Sequence, residues 1–322
     1  MIEHGGNIDR AITIYGGKKK EWIDLSTGIN PECYPIPNFS DADWRNLPTF
    51  TEIENLEFII KSIFNTFASV MLTPGSQIAI SLLPLLLKKQ DVCILEPTYG
   101  DYTESFINAG FKVRSCKDIQ ELFKSKIAII VNPNNPDGKN YRINDLILLS
   151  KKVNILIIDE SFVEASETQS ILGHINKKTS NIIVIKSFGK VYGLAGLRLG
   201  FVFSGEGLID KFKRIFSFWP VSTVAIKIAS KALTDKEWIK STQAKLKKKS
   251  YVLDNIMKTL HFELIGGTNL FRLYLTPNAK LAQIFLAKKF IWSRIFSYSE
   301  KWLRLGIPCD RNLKKLQIKL KV

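Results

Sequence analysis

Lys190 lies in the run Ile185-Lys186-Ser187-Phe188-Gly189-Lys190-Val191-Tyr192-Gly193-Leu194-Ala195-Gly196-Leu197-Arg198-Leu199-Gly200, with a serine three residues before it and an arginine eight residues after it. A lysine held among apolar neighbours loses its proton more readily than a solvated one and can form a Schiff base with an aldehyde. Ser187 and Arg198 supply the hydroxyl and the forked guanidinium that a phosphate needs. Together the three suit pyridoxal phosphate. Taken alone, Lys190 could equally be a solvated loop lysine and Arg198 a surface cation, so the weight falls on what accompanies them.

Other stretches carry candidate chemistry. Pro74-Gly75-Ser76-Gln77 precedes an apolar run of helical character. Glycine and small polar residues at a helix N-terminus offer free backbone N–H groups to an anion, although an N-capped core helix would look the same. Pro97-Thr98-Tyr99-Gly100, Asn132-Pro133-Asn134-Asn135-Pro136-Asp137-Gly138 and Asp159-Glu160 each close an apolar run.

The elements that must position these residues alternate between strand and helix. Apolar and β-branched runs predict strands over 69–73, 91–96, 126–131, 155–160, 181–186 and 199–203, and helical spacing predicts helices over 52–67, 78–87, 101–109 and 143–151. Pro84 should kink the second of these helices or end it early. Continuous apolar strands separated by helices imply an α/β fold with a parallel or mostly parallel sheet covered on both faces. Tyr99, Asn135, Asp159 and Lys190 then all stand at strand C-terminal ends, the edge where such sheets bind ligands. Residues 1–50 are rich in turn formers and read as an irregular arm, 51–230 as a large domain, and 231–322 as a small α+β domain. Helices are expected from 208, over 224–233 and over 236–260. In the small domain, short strands are expected over 262–265, 270–275, 291–292 and 302–306, with helices over 279–288 and 310–320.

Composition narrows the class. The 322 residues are 45% hydrophobic with mixed charge, as expected of a globular enzyme. The longest apolar run, 78–87, holds Ser81 and Pro84 and is about half of the roughly 20 residues a membrane span needs. The N-terminus carries no basic-then-apolar leader, so no membrane association and a cytoplasmic location are expected. Cys33, Cys93, Cys116 and Cys309 are scattered, without metal spacing, which predicts free thiols, a core position for Cys93 and no metal site. The net charge of +16 permits nucleic-acid binding, but Lys18–Lys20 and Lys245–Lys249 lack interleaved aromatics, so no nucleic acid is expected. A basic surface also suits a phosphorylated substrate.

The order of these features resembles the fold-type I pyridoxal-phosphate enzymes, the aspartate aminotransferase superfamily, over nearly the whole chain. The resemblance implies that fold: a mostly parallel central sheet in a large domain and a small α+β C-terminal domain. It also implies roles. Gly75, Ser76 and Gln77 match the phosphate-cradling helix N-terminus, Tyr99 the aromatic stacked on the pyridine ring, Asn135 the partner of the 3′-oxygen and Asp159 the partner of the pyridine nitrogen. Lys190 matches the Schiff-base lysine, Ser187 and Arg198 the phosphate ligands, and Arg304 the arginine that takes the substrate α-carboxylate. Phe162 stands where aminotransferases often have a tyrosine, and Arg45-Asn46-Leu47-Pro48 lacks the usual tyrosine that reaches across the dimer. His4-Gly5-Gly6-Asn7, Trp22 to Pro31, Gly266-Gly267-Thr268 and Arg304-Leu305-Gly306-Ile307-Pro308 are similar to the threonine-phosphate decarboxylases of cobalamin biosynthesis. That subfamily implies decarboxylation of L-threonine O-3-phosphate, with Thr27, Gly28, Asn135 and Arg304 on the substrate. His4 is the candidate for the substrate phosphate, with Lys18–Lys20 behind it. A homodimer with the active site at its interface is implied as well. The nearest alternative is an aminotransferase of the histidinol-phosphate type. A non-catalytic basic regulatory or nucleic-acid-binding module is the other, and the intact set of Lys190, Asp159, Asn135 and Arg198 argues against it.

Overall fold

The computed structural model describes residues 4–166, 168–216 and 218–321. Two compact units share them, a larger one of residues 34–135 and 140–239 and a smaller one of residues 4–33, 136–139 and 240–321.

The larger unit is built on a seven-stranded sheet: β1 (Ser69–Thr73), β2 (Val92–Leu95), β3 (Val113–Cys116), β4 (Ile127–Val131), β5 (Ile155–Asp159), β6 (Ile182–Ser187) and β7 (Gly200–Ser204), in the order β1-β7-β6-β5-β4-β2-β3. All neighbours pair in parallel except those of β7, which runs antiparallel to both β1 and β6. The all-buried runs of β4 and β7 and the nearly all-buried β5 show why these strands read as unbroken apolar stretches: helices cover both faces, and each enclosed Ile or Val contributes about 1.5–3 kcal/mol. One cluster joins Ile80 and Leu83, Tyr102 and Phe106, Ile127 and Ile129, Ile157, Ile185, and Phe212.

The smaller unit holds an antiparallel sheet of β8 (Glu263–Thr268), β9 (Phe271–Leu275), β10 (Arg294–Phe296) and β11 (Ser299–Gly306), in the order β10-β11-β9-β8. Helices Ala279–Ala287 and Asp310–Leu320 accompany it, and Ile23–Asp24 pairs in parallel with Ile291–Trp292. The helix Lys236–Thr259 carries the chain from the larger unit into the smaller.

Three departures from the sequence reading have physical causes. Residues 1–50 are not irregular throughout: Ile8–Tyr15 is a helix capped by Asn7, whose side chain accepts the Arg10 N–H, and it buries Ile8 and Ala11 against Trp22 and Trp292. Its apolar residues at 8, 11, 12 and 15 are helically spaced, a pattern masked by the glycines on both sides. The expected helix 52–67 runs instead over Phe50–Ile63, opened by a capping box between Thr49 and Glu52 and stopped before Asn65, which is left-handed at φ 46°. Strand β3 was not anticipated, because Val113-Arg114-Ser115-Cys116 is an edge strand with two exposed residues and no apolar run to announce it. The helix Ser76–Leu86 ends two residues after Pro84.

Candidate active site

In the larger unit, strand ends and the loops after them gather the predicted cofactor residues. Asp159, the last residue of β5, is 3% exposed. Its Oδ1 accepts the backbone N–H of Ser161 at 2.8 Å, and its Oδ2 accepts the Tyr102 hydroxyl at 3.0 Å. Burial pushes its carboxyl above the ordinary carboxylate range, while the hydrogen bonds from Ser161 and Tyr102 and the charge of Lys190 pull it part of the way back. Tyr102 was not foreseen. It sits on the helix Asp101–Asn108, three residues after Tyr99, and enclosure pushes its phenol well above the usual range.

A second group forms where β7 begins. Gly200 lies between Thr73 and Ser187 in the register, and a Cβ there would come within 2.5 Å of the Ser76 amide nitrogen. Glycine therefore lets the N-terminus of the helix Ser76–Leu86 close onto the strand ends. Gly75 has φ +83°, and its missing Cβ leaves room for Arg198, whose Nη2 would otherwise be 2.7 Å away. Arg198 is itself left-handed, at φ 53°. The unsatisfied first-turn amides of the helix, the Arg198 guanidinium and the Ser187 hydroxyl thus share one neighbourhood, a donor set for an anion. The Gln77 backbone belongs to this first turn, while its side chain turns to Tyr99: its Oε1 accepts the Tyr99 hydroxyl at 2.7 Å, orienting the ring expected to stack. Thr98 donates to Asn134 at 2.6 Å, and Asn134 donates to the Pro97 carbonyl at 2.9 Å, which locks together the loops holding Tyr99 and Asn135. Lys190 Nζ lies 4.9 Å from the centre of the Phe162 ring.

These residues fit pyridoxal phosphate. The cradle of Gly75, Ser76, Ser187 and Arg198 suits its phosphate, and a buried carboxylate held above its normal pKa gains from a cation such as a protonated ring nitrogen.

The smaller unit holds the predicted substrate residues other than Asn135, which belongs to the larger unit. Arg304 on β11 is 3% exposed, donates from Nη2 to the Ser26 carbonyl at 2.9 Å, and lies 5.1 Å from the Phe271 ring centre. Ser26 is fixed in turn: its N–H and hydroxyl bond Asp24 Oδ1, and its Oγ accepts the Gly6 N–H at 2.8 Å. Thr27 and Gly28 continue this segment, and the Gly306 N–H reaches the Leu25 carbonyl at 2.6 Å. His4, Arg10, Ser26, Ser293 and Arg294 line a cavity of about 580 Å³. Ser293 is 1% exposed and its Oγ finds no hydrogen-bond partner among the described residues. Arg10 and Arg294 were missed by sequence reasoning, Arg10 because its helix was read as irregular. Lys18–Lys20 do not line the cavity; they sit exposed at the turn Lys19–Glu21.

The aminotransferase class I and II family matches residues 47–320. The chain belongs to that family. Membership brings dependence on pyridoxal phosphate, in agreement with the donor set above. Among class I and II relatives, the chain is similar to the threonine-phosphate decarboxylase of Sinorhizobium sp, at 36% identity over 96% of this chain and 94% of the relative. It is also similar to the threonine-phosphate decarboxylase of Pseudomonas aeruginosa, at 29% identity over 96% and 94%. Of solved structures, the histidinol-phosphate aminotransferase of Sinorhizobium meliloti in complex with pyridoxal-5'-phosphate superposes with a TM-score of 0.84 over 97% of this chain and 92% of that one. At 17% identity that likeness speaks to the fold alone.

Proposed function

We propose that the protein decarboxylates L-threonine O-3-phosphate to (R)-1-amino-2-propanol O-2-phosphate, as part of cobalamin biosynthesis. Similarity to two threonine-phosphate decarboxylases along nearly the whole chain supports this reading. The structural observation that carries it is a second cationic place: besides the cradle of Gly75, Ser76, Ser187 and Arg198, the chain has the cavity of His4, Arg10, Ser293 and Arg294. A phosphorylated cofactor and a phosphorylated substrate need two such places.

In this reading each residue has a definite task. Lys190 is the amine that carries the cofactor. Ser76, Ser187 and Arg198 bind its phosphate, Tyr99 covers its ring, and Asn135 donates to its 3′-oxygen. Asp159 keeps a proton on its ring nitrogen. Pyridoxal phosphate, when bound, supplies the electron sink that a carbanion at Cα requires. Arg304 grips the α-carboxylate with its fork, helped by Thr27 and Gly28, and sets the angle of the bond to be broken. His4, Arg10 and Arg294 hold the phosphate of the substrate. The Lys190 ammonium, once free, would deliver to Cα the proton that takes the place of the departing CO₂.

Holoenzyme given L-threonine O-3-phosphate should release CO₂ and aminopropanol phosphate with no amino acceptor present. Amino transfer to a 2-oxo acid without CO₂ would replace this proposal by an aminotransferase of the histidinol-phosphate type. Arg294→Ala should raise KM for L-threonine O-3-phosphate by about 10- to 100-fold, the worth of a charge-assisted hydrogen bond. Inhibition by L-threonine, which lacks the phosphate, should stay where it was; equal losses for both would take Arg294 off the phosphate. We also infer a homodimer, since Trp44, Leu47, Phe50, Phe218 and Trp219 of the larger unit are each more than half exposed. A solution mass of one chain would oppose it.

A further inference from the structure

Lys186 is 1% exposed, and its ammonium is enclosed in the larger unit by two carboxylates and a ring. Nζ lies 3.1 Å from Glu160 Oε2, 2.7 Å from Glu164 Oε1 and 4.6 Å from the centre of Phe64. Glu160 also accepts the Ser170 hydroxyl at 2.5 Å and the Ile171 N–H at 2.8 Å. The loop that leaves β5 after Asp159 is therefore fastened at its start by Glu160, further on by Glu164, and at its return by Ser170 and Ile171. Phe162 lies between the first two anchors, and it is the ring 4.9 Å from Lys190 Nζ. Glu160 N–H also bonds the Ile185 carbonyl at 2.8 Å, so the anchor binds the residue after Asp159 to the strand that ends in Ser187.

Side chains alternate along a strand, so Glu160 faces away from the side on which Asp159 meets Tyr102. The Glu160 carboxylate thus stands on the other side of the strand end from the Asp159–Tyr102 bond. Apolar residues of the same volume would fill this interior at least as well, because burying three charges sacrifices their hydration. What the charges add is direction. We infer that Lys186 is a positioning residue, which through Glu160 and Glu164 holds Phe162 against Lys190; the inference rests on Lys190 being the residue that carries the cofactor.

The test is the pH titration of the visible absorption that pyridoxal phosphate shows when bound to the protein. A ring face next to a cation favours the protonated state, so Phe162→Leu should lower the midpoint by about 0.4–0.7 pH unit. Lys186→Met should lower it as well. Loss of the Lys186 charge would by itself favour a cation at Lys190 and raise the midpoint, so a lowered midpoint reads geometry. The double variant should shift no further than Phe162→Leu alone, since the two substitutions act through one contact. Lys186→Arg, whose fork can hold both carboxylates, should titrate like the wild type. Additive shifts, or Lys186→Met titrating as wild type, would overturn the inference. Should Lys186→Met not fold, Glu164→Gln removes one anchor and keeps the Lys186–Glu160 pair, and an unchanged midpoint there is equally fatal. A wild-type protein without any visible band would sink the cofactor reading itself, a different failure from additive shifts on an intact band.

Discussion

Asp159→Asn should cut kcat by about 10²–10⁴-fold while leaving the protein without cofactor at least as stable at pH 7. The first half follows from charge. Asp159 is buried, and in the proposed site it is the anion opposite a protonated ring nitrogen; removing one member of a buried ion pair costs about 3–5 kcal/mol, or two to four powers of ten in rate. The second half follows from the sign of its titration. Its folded-state pKa is raised, chiefly by burial, so its contribution to stability is complete below the unfolded pKa and is lost as pH rises through the folded one. A neutral amide of the same shape escapes whatever part of that loss falls below pH 7. Steady-state rates at saturating cofactor and thermal unfolding of the apoprotein measure the two halves. A large loss of apoprotein stability would mean that Asp159 is structural, and an unchanged kcat would remove it from the chemistry.

Much of the larger unit was legible because its strands are enclosed on both faces. Ile127–Val131 and Ile155–Asp159 are so uniformly apolar that only a covered parallel sheet suits them, and the polar residues at their ends then mark the ligand edge. Tyr102 was not legible. A tyrosine on an amphipathic helix looks like core until the fold brings it to a carboxylate 57 positions along the chain. Its contribution can be tested. The Tyr102 hydroxyl donates to the ionised form of Asp159, so Tyr102→Phe should push that carboxyl further up and move the acidic limb of the kcat/KM profile to higher pH, with the basic limb unmoved. A limb that stays put or moves down would deny the coupling.

In the smaller unit the signals were weaker for a different reason. Arg10 and Arg294 flank one cavity, yet 284 positions separate them by number, and neither sits in a run that stands out from the many lysines and arginines of a +16 chain. Only the helix Ile8–Tyr15 and the short strand β10 bring them together. His4 could be named from its glycine-rich surroundings, but its partners could not. Gln77 shows the converse: the motif was visible, while its side chain turned out to be committed to Tyr99.

Arg304→Lys should lower kcat/KM for L-threonine O-3-phosphate by about 10- to 100-fold, the worth of one charge-assisted hydrogen bond lost from the fork. The substitution keeps the charge and removes the fork. In the structure the guanidinium already has one firm tie, to the Ser26 carbonyl at 2.9 Å, and two aromatic neighbours, Phe271 at 5.1 Å and Phe296 at 6.0 Å from their ring centres. A planar group held in that way presents its N–H donors in a fixed direction, which a lysine ammonium on a flexible stem cannot do. Decarboxylation would need the carboxylate held in one orientation, and Arg304 would set it, so a looser grip should depress kcat as well as raise KM. If KM alone rises, Arg304 contributes binding without orientation. If CO₂ release falls while amino transfer to a 2-oxo acid appears, the arginine is what keeps the reaction on the decarboxylation path.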